Sequence, residues 1–184
     1  MFTEKIIDET VIYDGPIFRV EHLSVKLDDG SEAWRDVVRH NGGVCVAAID
    51  GDYVYMVEQY RISVGRTTLE LPAGKLEARD TPESGARREL QEECGLATDN
   101  LVYLGSCLPS PGYTSEVLHL YLAQDLVLGK QALDEGEFLR VFKIHLSDVM
   151  DWIMNGKIED AKTIICLFKA REYVRRQEKE AEQA

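Results

Sequence analysis

The sequence is poor in basic residues and in long apolar runs, and each shortage excludes a class of protein. Lys and Arg total 21 against 33 Asp and Glu, so the net charge is −12. Binding to nucleic acid or to an anionic membrane needs a positive surface, and we expect neither partner. The longest apolar run, Val44 to Ile49, is far shorter than a transmembrane span. The N-terminal residues also lack the basic and apolar regions of a signal peptide.

Cysteine is scarce and is not arranged for a disulfide framework or a zinc site. The four cysteines show no C-x-x-C pairing, and each lies among apolar neighbours. We interpret them as reduced core residues of a cytoplasmic protein.

The length and composition of the sequence are those of one ordinary globular domain. Its 184 residues are 45% hydrophobic and 29% charged, enough to bury a core. Alternating and β-rich runs bounded by Gly, Asp and Asn predict strands; they are Ile17–Lys26, Ala33–Arg39, Val44–Asp50, Tyr53–Tyr60, Leu101–Leu108 and Val117–Ala123.

Helices are predicted between and after these strands. Thr81 as N-cap, Pro82 and Gly95 delimit a helix from Pro82 to Cys94. Ser147 is expected to cap a short helix ending near Gly156, and a longer helix starts at about Asp160. The order of strands and helices predicts a mixed α+β or α/β sandwich.

The predicted helix at Pro82–Cys94 carries an unfavourable acidic cluster. Its apolar stripe should face the core, while Glu89, Glu92 and Glu93 fall on another, solvent-facing side. Like charges at i, i+4 and anions near a helix C-terminus each cost a few tenths of a kcal/mol or more. One interpretation is a solvated acidic face. The other is a site for a hard cation such as Mg²⁺, because a Gly-containing loop upstream could add a backbone oxygen ligand.

The acidic cluster belongs to a longer pattern of fixed spacing. The run G-x5-D-x7-R-E-L-Q-E-E-C-G-L, from Gly74 to Leu96, resembles the Nudix box, G-x5-E-x7-R-E-U-x-E-E-x-G-U with U aliphatic. It departs at one defined position, where Asp80 replaces Glu. The resemblance implies the Nudix fold, an α+β fold built as an α/β/α sandwich, with a small N-terminal antiparallel β-sheet. It also implies hydrolysis of a nucleoside diphosphate linked to another group.

A second motif points to a subfamily. Pro111 stands sixteen residues after Gly95 in S-P-G-Y-T-S-E, which ends at Glu116. By itself this segment is a turn, but at this spacing it resembles the marker of the ADP-ribose pyrophosphatase subfamily. The resemblance implies hydrolysis of ADP-ribose to AMP and ribose 5-phosphate. A GDP-mannose type pyrophosphatase and a non-catalytic ADP-ribose-binding sensor remain as alternatives.

The resemblance also implies roles for individual residues. The metal would be Mg²⁺, with Mn²⁺ as the alternative. Its ligands would be the Ala73 carbonyl, Glu89 and Glu93. Glu92 would be an additional ligand and would also take part in catalysis. The general base would be Glu135, with Glu137 close behind. Structural roles in the box fall to Gly74, Asp80, Arg88 and Gly95. Substrate would be bound by Trp34, Arg39, Arg61, Phe18, Pro111 and Glu116.

The N-terminal strands are predicted to form a segment of their own. We expect residues 1–41 to serve dimerisation and adenine binding, and residues 42–184 to form the Nudix hydrolase domain. About forty residues cannot bury much alone, and in the resembling subfamily such a sheet packs against a second subunit. A homodimer is therefore expected by analogy, with a small nucleoside diphosphate as substrate.

Overall fold

The computed structural model describes residues 2–183; Met1 and Ala184, which the predicted boundaries include, lie outside that range. The described residues divide into two compact units, residues 2–42 with 108–117 and residues 43–107 with 118–183. Among residues 2–183, no helix combines the length and apolar character needed to cross a membrane.

The first unit is built on a three-stranded antiparallel sheet. Its strands are β1 (Lys5–Asp14), β2 (Phe18–Lys26) and β3 (Glu32–His40), in the spatial order β1-β2-β3. The segment 108–117 joins β3 through two backbone hydrogen bonds, from Val38 N–H to Tyr113 O at 2.7 Å and from Ser115 N–H to Val38 O at 2.9 Å. The two predicted strands are confirmed, whereas β1 was not predicted because every one of its residues is exposed and shows no apolar alternation.

Within residues 2–183, the second unit contains the remaining strands and all three helices. In chain order they are β4 (Gly43–Asp50), β5 (Tyr53–Arg61), β6 (Arg66–Glu70), β7 (Ala73–Lys75), α1 (Pro82–Cys94), β8 (Leu96–Ala97), β9 (Asn100–Cys107), β10 (Leu118–Gln124), β11 (Val127–Leu128), β12 (Leu139–His145), α2 (Leu146–Met154) and α3 (Ala161–Gln183). The main sheet runs β12-β5-β4-β10-β9, with β6 paired to β5 and β7 paired to β4. β4 and β10 are parallel, and β8 pairs separately with β11.

The central strand β4 supplies both apolar cores of this unit. Cys45, Ala47 and Ile49 point into a cluster with α2 and α3. Val44, Val46 and Ala48, in the alternate positions, pack with Ala86 and Leu90 of α1. The sheet is therefore covered by helices on both faces, and the predicted α/β/α sandwich is confirmed.

One predicted helix boundary is wrong. Ser147 is not the cap of α2, because the N-cap is His145, two residues earlier. The imidazole Nδ1 of His145 accepts a hydrogen bond from the Ser147 backbone N–H at 3.3 Å. The His145 imidazole therefore caps the helix, a role that the sequence pattern assigned to the Ser147 hydroxyl.

No disulfide joins any of the four cysteines, all of which lie within the described residues. Cys45 and Cys166 are fully buried, and Cys94 and Cys107 are half-buried. The burial of Cys45 and Cys166 agrees with the interpretation that they are core residues.

Candidate functional site

Helix α1 begins and ends where its sequence predicts. Thr81 and Ser84 form a capping box, in which the Thr81 hydroxyl accepts from Ser84 N–H at 3.1 Å and the Ser84 hydroxyl accepts from Thr81 N–H at 2.9 Å. Gly95 ends the helix with a φ of 63°, and a Cβ built there would lie 2.7 Å from the Gln131 nitrogen. Both ends are fixed, so the side chains of the last two turns have defined directions.

Arg88 ties this helix to the loop before it. Its Nη1 donates to Glu89 Oε1 and Glu92 Oε2, both at 2.8 Å. Its Nη2 donates to Asp80 Oδ2 at 2.8 Å and to the Lys75 carbonyl at 3.0 Å. Burial opposes the charge, but Asp80 and the two glutamates raise the pKa of Arg88 above its usual value.

Asp80, the residue that departs from the box consensus, occupies a structural position. Besides pairing with Arg88, its Oδ2 accepts from the Glu77 backbone N–H at 3.1 Å. The hydrogen bond from Arg88 is the main cause that lowers the pKa of Asp80. The shorter side chain still reaches both the loop and the helix.

Glu93 is buried, which corrects the expectation that the whole acidic cluster faces solvent. Only 1% of the residue is exposed. Its Oε2 accepts a hydrogen bond of 2.9 Å from the Ala73 backbone N–H. The helical periodicity placed it away from the apolar stripe, but the loop at β7 covers that side of the helix.

Burial raises the pKa of Glu93 to about 8, although the Ala73 hydrogen bond acts in the opposite direction. The charges of Glu89 and Glu137 add to the increase. Burial also raises the pKa of Glu89, against the effect of Arg88. Two carboxylates of the helix are therefore held where loss of their protons is costly.

Gly74 leaves space for one of these carboxylates. A Cβ built on Gly74 would lie 2.1 Å from the carboxyl carbon of Glu89. Any other residue would therefore displace the Glu89 side chain or the loop. The glycine of the box therefore lets the loop lie close to the Glu89 carboxyl group.

The loop between β11 and β12 is anchored at the C-terminal end of α1. Gln131 donates from its side chain to the Glu93 carbonyl at 2.6 Å, and Ala132 N–H donates to the Glu92 carbonyl at 3.0 Å. Within this loop Glu135 is exposed and Glu137 is half-buried. The charge of Glu137 adds to the increase in the pKa of both Glu89 and Glu93, after the larger effect of burial.

These residues fit a divalent cation by their donor chemistry. Glu93 is a buried carboxylate that forms no ion pair with any residue in the range 2–183, and such a group is costly without a cation. Carboxylate and carbonyl oxygens are the ligands of hard cations. In the described part of the chain, however, no three His, Cys, Asp or Glu side chains converge into a ready metal-binding group. Arg88 instead holds Glu89 and Glu92.

The two arginines expected to contact phosphate are each anchored by a buried glutamate. In the second unit, Arg61 donates from Nε and Nη2 to Glu70, at 2.8 and 2.7 Å. In the first unit, Arg39 donates from Nε to Glu21 at 2.6 Å. Neither glutamate was given a role from the sequence. Glu21 is one acidic residue within a β-rich run, and Glu70 is the first residue of the loop that leads into the box.

The other expected substrate residues lie in the first unit. Trp34 is 62% exposed, and one ring face stacks on His22 with centroids 4.6 Å apart. Phe18 is also exposed and lies 5.5 Å from the Tyr13 ring. Pro111 is exposed in a turn closed by Ser110, and Glu116 is half-buried 3.7 Å from His40. The aromatic surface that a nucleobase could use is thus available on Trp34.

The raised pKa of Glu93 predicts a pH dependence of stability in the metal-free chain. Between the ordinary value of 4.5 and about 8, the folded chain retains a proton that the unfolded chain has released. The free energy of unfolding should therefore fall as the pH rises through this range. Urea denaturation in the presence of a chelator, at about pH 5.5, 7 and 8.5, measures this slope.

Glu93→Gln should flatten that slope, because the amide does not titrate. Glu83→Gln, in the exposed first turn of the same helix, is the matched control and should keep it. Equal slopes in the wild type and Glu93→Gln would contradict the assignment.

Comparisons with known proteins agree with this geometry. The NUDIX domain family matches residues 39–164. An ADP-ribose pyrophosphatase of Bacillus subtilis (strain 168) is 37% identical over 163 residues, 87% of this chain and 88% of that protein. A methanol dehydrogenase activator of Bacillus methanolicus is 37% identical over 170 residues, 91% of this chain and 92% of that protein.

The fold is also that of a solved structure. A crystal structure of an ADP compounds hydrolase superposes with a TM-score of 0.86, covering 95% of this chain and 96% of that one at 23% sequence identity. At that identity the likeness establishes the fold alone. The family match spans well over half of the chain, and with the box geometry described above it shows that this chain belongs to the Nudix family.

Proposed function

We propose that this protein hydrolyses the pyrophosphate bond of ADP-ribose, giving AMP and ribose 5-phosphate, with Mg²⁺ as the metal. The observation that carries the proposal is the buried Glu93 carboxylate, which forms no salt bridge with any of residues 2–183 and lies on the helix that carries Glu89 and Glu92. The 37% identical relative named ADP-ribose pyrophosphatase supports the choice of substrate.

Each residue of the site has a defined task in this proposal. Glu89 and Glu93 would hold the metal with the Ala73 carbonyl, and Glu92 would be an additional ligand. Bound Mg²⁺ would neutralise phosphate oxygens and lower the pKa of a water molecule. Arg39 and Arg61 would donate to the phosphate oxygens.

A loop carboxylate would take the proton of the attacking water as the bond between phosphorus and the bridging oxygen breaks. The alignment with the family favours Glu135, but the half-buried Glu137 is the one whose charge acts on Glu89 and Glu93. We therefore assign Glu137 as the general base. Trp34 would stack on the adenine, with Phe18, Pro111 and Glu116 as further substrate contacts.

The relative named methanol dehydrogenase activator adds a second candidate function. Its identity to this chain, 37%, equals that of the Bacillus subtilis pyrophosphatase. We also propose that the protein acts in the cytoplasm, where cysteines are kept reduced.

A hydrolysis panel tests the proposed reaction. The purified chain with Mg²⁺ should cleave ADP-ribose in preference to GDP-mannose, NADH and diadenosine polyphosphates. Glu93→Gln should lose most of this turnover, whereas Glu83→Gln should keep it, because Glu83 lies in the exposed first turn of α1. A preference for GDP-mannose would overturn the substrate assignment. Binding of ADP-ribose without hydrolysis would indicate a sensor.

The two loop glutamates can be separated by substitution. Glu137→Gln should lower kcat about 100-fold, the usual contribution of a general base, while Mg²⁺ binding measured by calorimetry stays nearly unchanged. Glu135→Gln is the control from the same loop and should change kcat little. The opposite ranking would return the role to Glu135, and weakened Mg²⁺ binding would make the affected residue a ligand.

We also propose that the chain forms a homodimer through the first unit. All ten residues of β1 are exposed, and Ile6, Val11 and Ile12 are among the exposed apolar side chains on this edge strand. Such an edge is a site for pairing with another chain.

Light scattering at micromolar concentration should therefore give twice the monomer mass. Ile12→Lys, at a residue 64% exposed, should shift the chain towards monomer. Val127→Lys, at a residue of the second unit that is 63% exposed, is the control and should not. A wild-type monomer would end the proposal.

A further inference from the structure

Glu70, at the end of β6, is a buried carboxylate with several hydrogen-bond donors. Arg61 donates to both of its oxygens, from Nε at 2.8 Å and from Nη2 at 2.7 Å. The Thr68 hydroxyl donates to Oε1 at 2.6 Å, and the ammonium of Lys162 pairs with Oε2 from the first turn of α3. The carboxylate therefore connects β5, β6 and α3.

These partners keep Glu70 ionised despite its burial. Burial alone would raise its pKa, but the hydrogen bonds from Arg61 and the charge of Lys162 outweigh it and lower the pKa to about 2. Lys162 is shared with Asp160, whose Oδ2 lies 3.0 Å from its Nζ. The Glu70 carboxylate is therefore charged across the physiological pH range.

The two-point bond fixes the plane of the Arg61 guanidinium. A planar fork that donates two parallel hydrogen bonds cannot rotate without breaking both. Nη1 remains without a hydrogen bond to any residue in 2–183, and the side chain is 38% exposed. One edge of the guanidinium is thus anchored and the other is available to a ligand.

A related arrangement occurs in the first unit. Glu21, buried like Glu70, accepts from Arg39 Nε at 2.6 Å and pairs with Arg19 as its second cation. Both arginines expected to contact phosphate thus bond to a buried glutamate, Arg61 at two points and Arg39 at one. A buried ion pair is weak evidence for stability alone, so its repetition at these two positions points to orientation of the arginine.

We propose that Glu70 is a positioning residue, which orients Arg61 so that its unbonded Nη1 edge meets a phosphate oxygen of the nucleoside diphosphate substrate. This inference rests on the proposed pyrophosphatase function. Glu70 itself touches no substrate and acts through Arg61.

The test is a double-substitution cycle with Glu70→Gln and Arg61→Lys. Each single variant should raise KM for ADP-ribose about tenfold, the effect of a lost charged hydrogen bond, and change kcat less than about threefold. The double variant should be little worse than either single one, because both remove the same interaction. Fully additive effects would overturn the proposal.

Glu172→Gln is the matched control, because Glu172 also accepts two hydrogen bonds from one arginine. Glu172 accepts from Nε and Nη2 of Arg175, both at 2.7 Å, on the exposed part of α3. It should leave KM unchanged, and a Glu70→Gln effect no larger than this control would also overturn the proposal.

Thr68→Val decides the question if Glu70→Gln fails to fold. It removes one hydrogen bond to Glu70 and keeps the charges. A rise in KM of about threefold, with an unchanged urea midpoint, supports positioning; an unchanged KM contradicts it.

Calorimetric binding of ADP separates this inference from the proposed function. Wild-type chain that binds ADP without hydrolysing any substrate would overturn the function. Weaker ADP binding in Glu70→Gln or Thr68→Val would still support positioning, and unchanged ADP binding in both would overturn it.

Discussion

The site depends on the burial of Glu93 against the backbone of Ala73. A single N–H donor does not compensate for removing a carboxylate from water, so the group is held with a raised pKa. Arg88 neutralises Glu89 and Glu92 but does not pair with Glu93. A cation bound at the C-terminal half of α1 would therefore stabilise the ionised form of Glu93. The apolar face of α1 packs on β4 and holds the helix in place.

The parts of the structure determined by local sequence could be predicted. The ends of α1 follow from Thr81, Pro82 and Gly95, which act through neighbouring backbone groups. The alternation of strands and helices was sufficient for the sandwich. The box glutamates could be located on the helix because their spacing alone places them there.

What could not be predicted depends on segments distant in sequence. Glu93 was expected in solvent because helical periodicity says which residues share a face, but not that the loop at Ala73 covers it. Glu70 gave no signal, since its partners Arg61 and Lys162 lie far apart in sequence and meet only in the fold. β1 was missed because an exposed edge strand carries no alternation, and the α2 cap was misplaced because His145 is an uncommon N-cap.

The small buried side chains of β4 limit the substitutions that this strand can accept. Its buried positions are occupied only by Gly, Val, Cys, Ala and Ile, and successive side chains pack against helices on opposite faces. A larger side chain at any of them would push apart either the layer of α1, which carries the glutamates, or the layer of α2 and α3. Substitutions in this strand should therefore be confined to exchanges between small apolar residues.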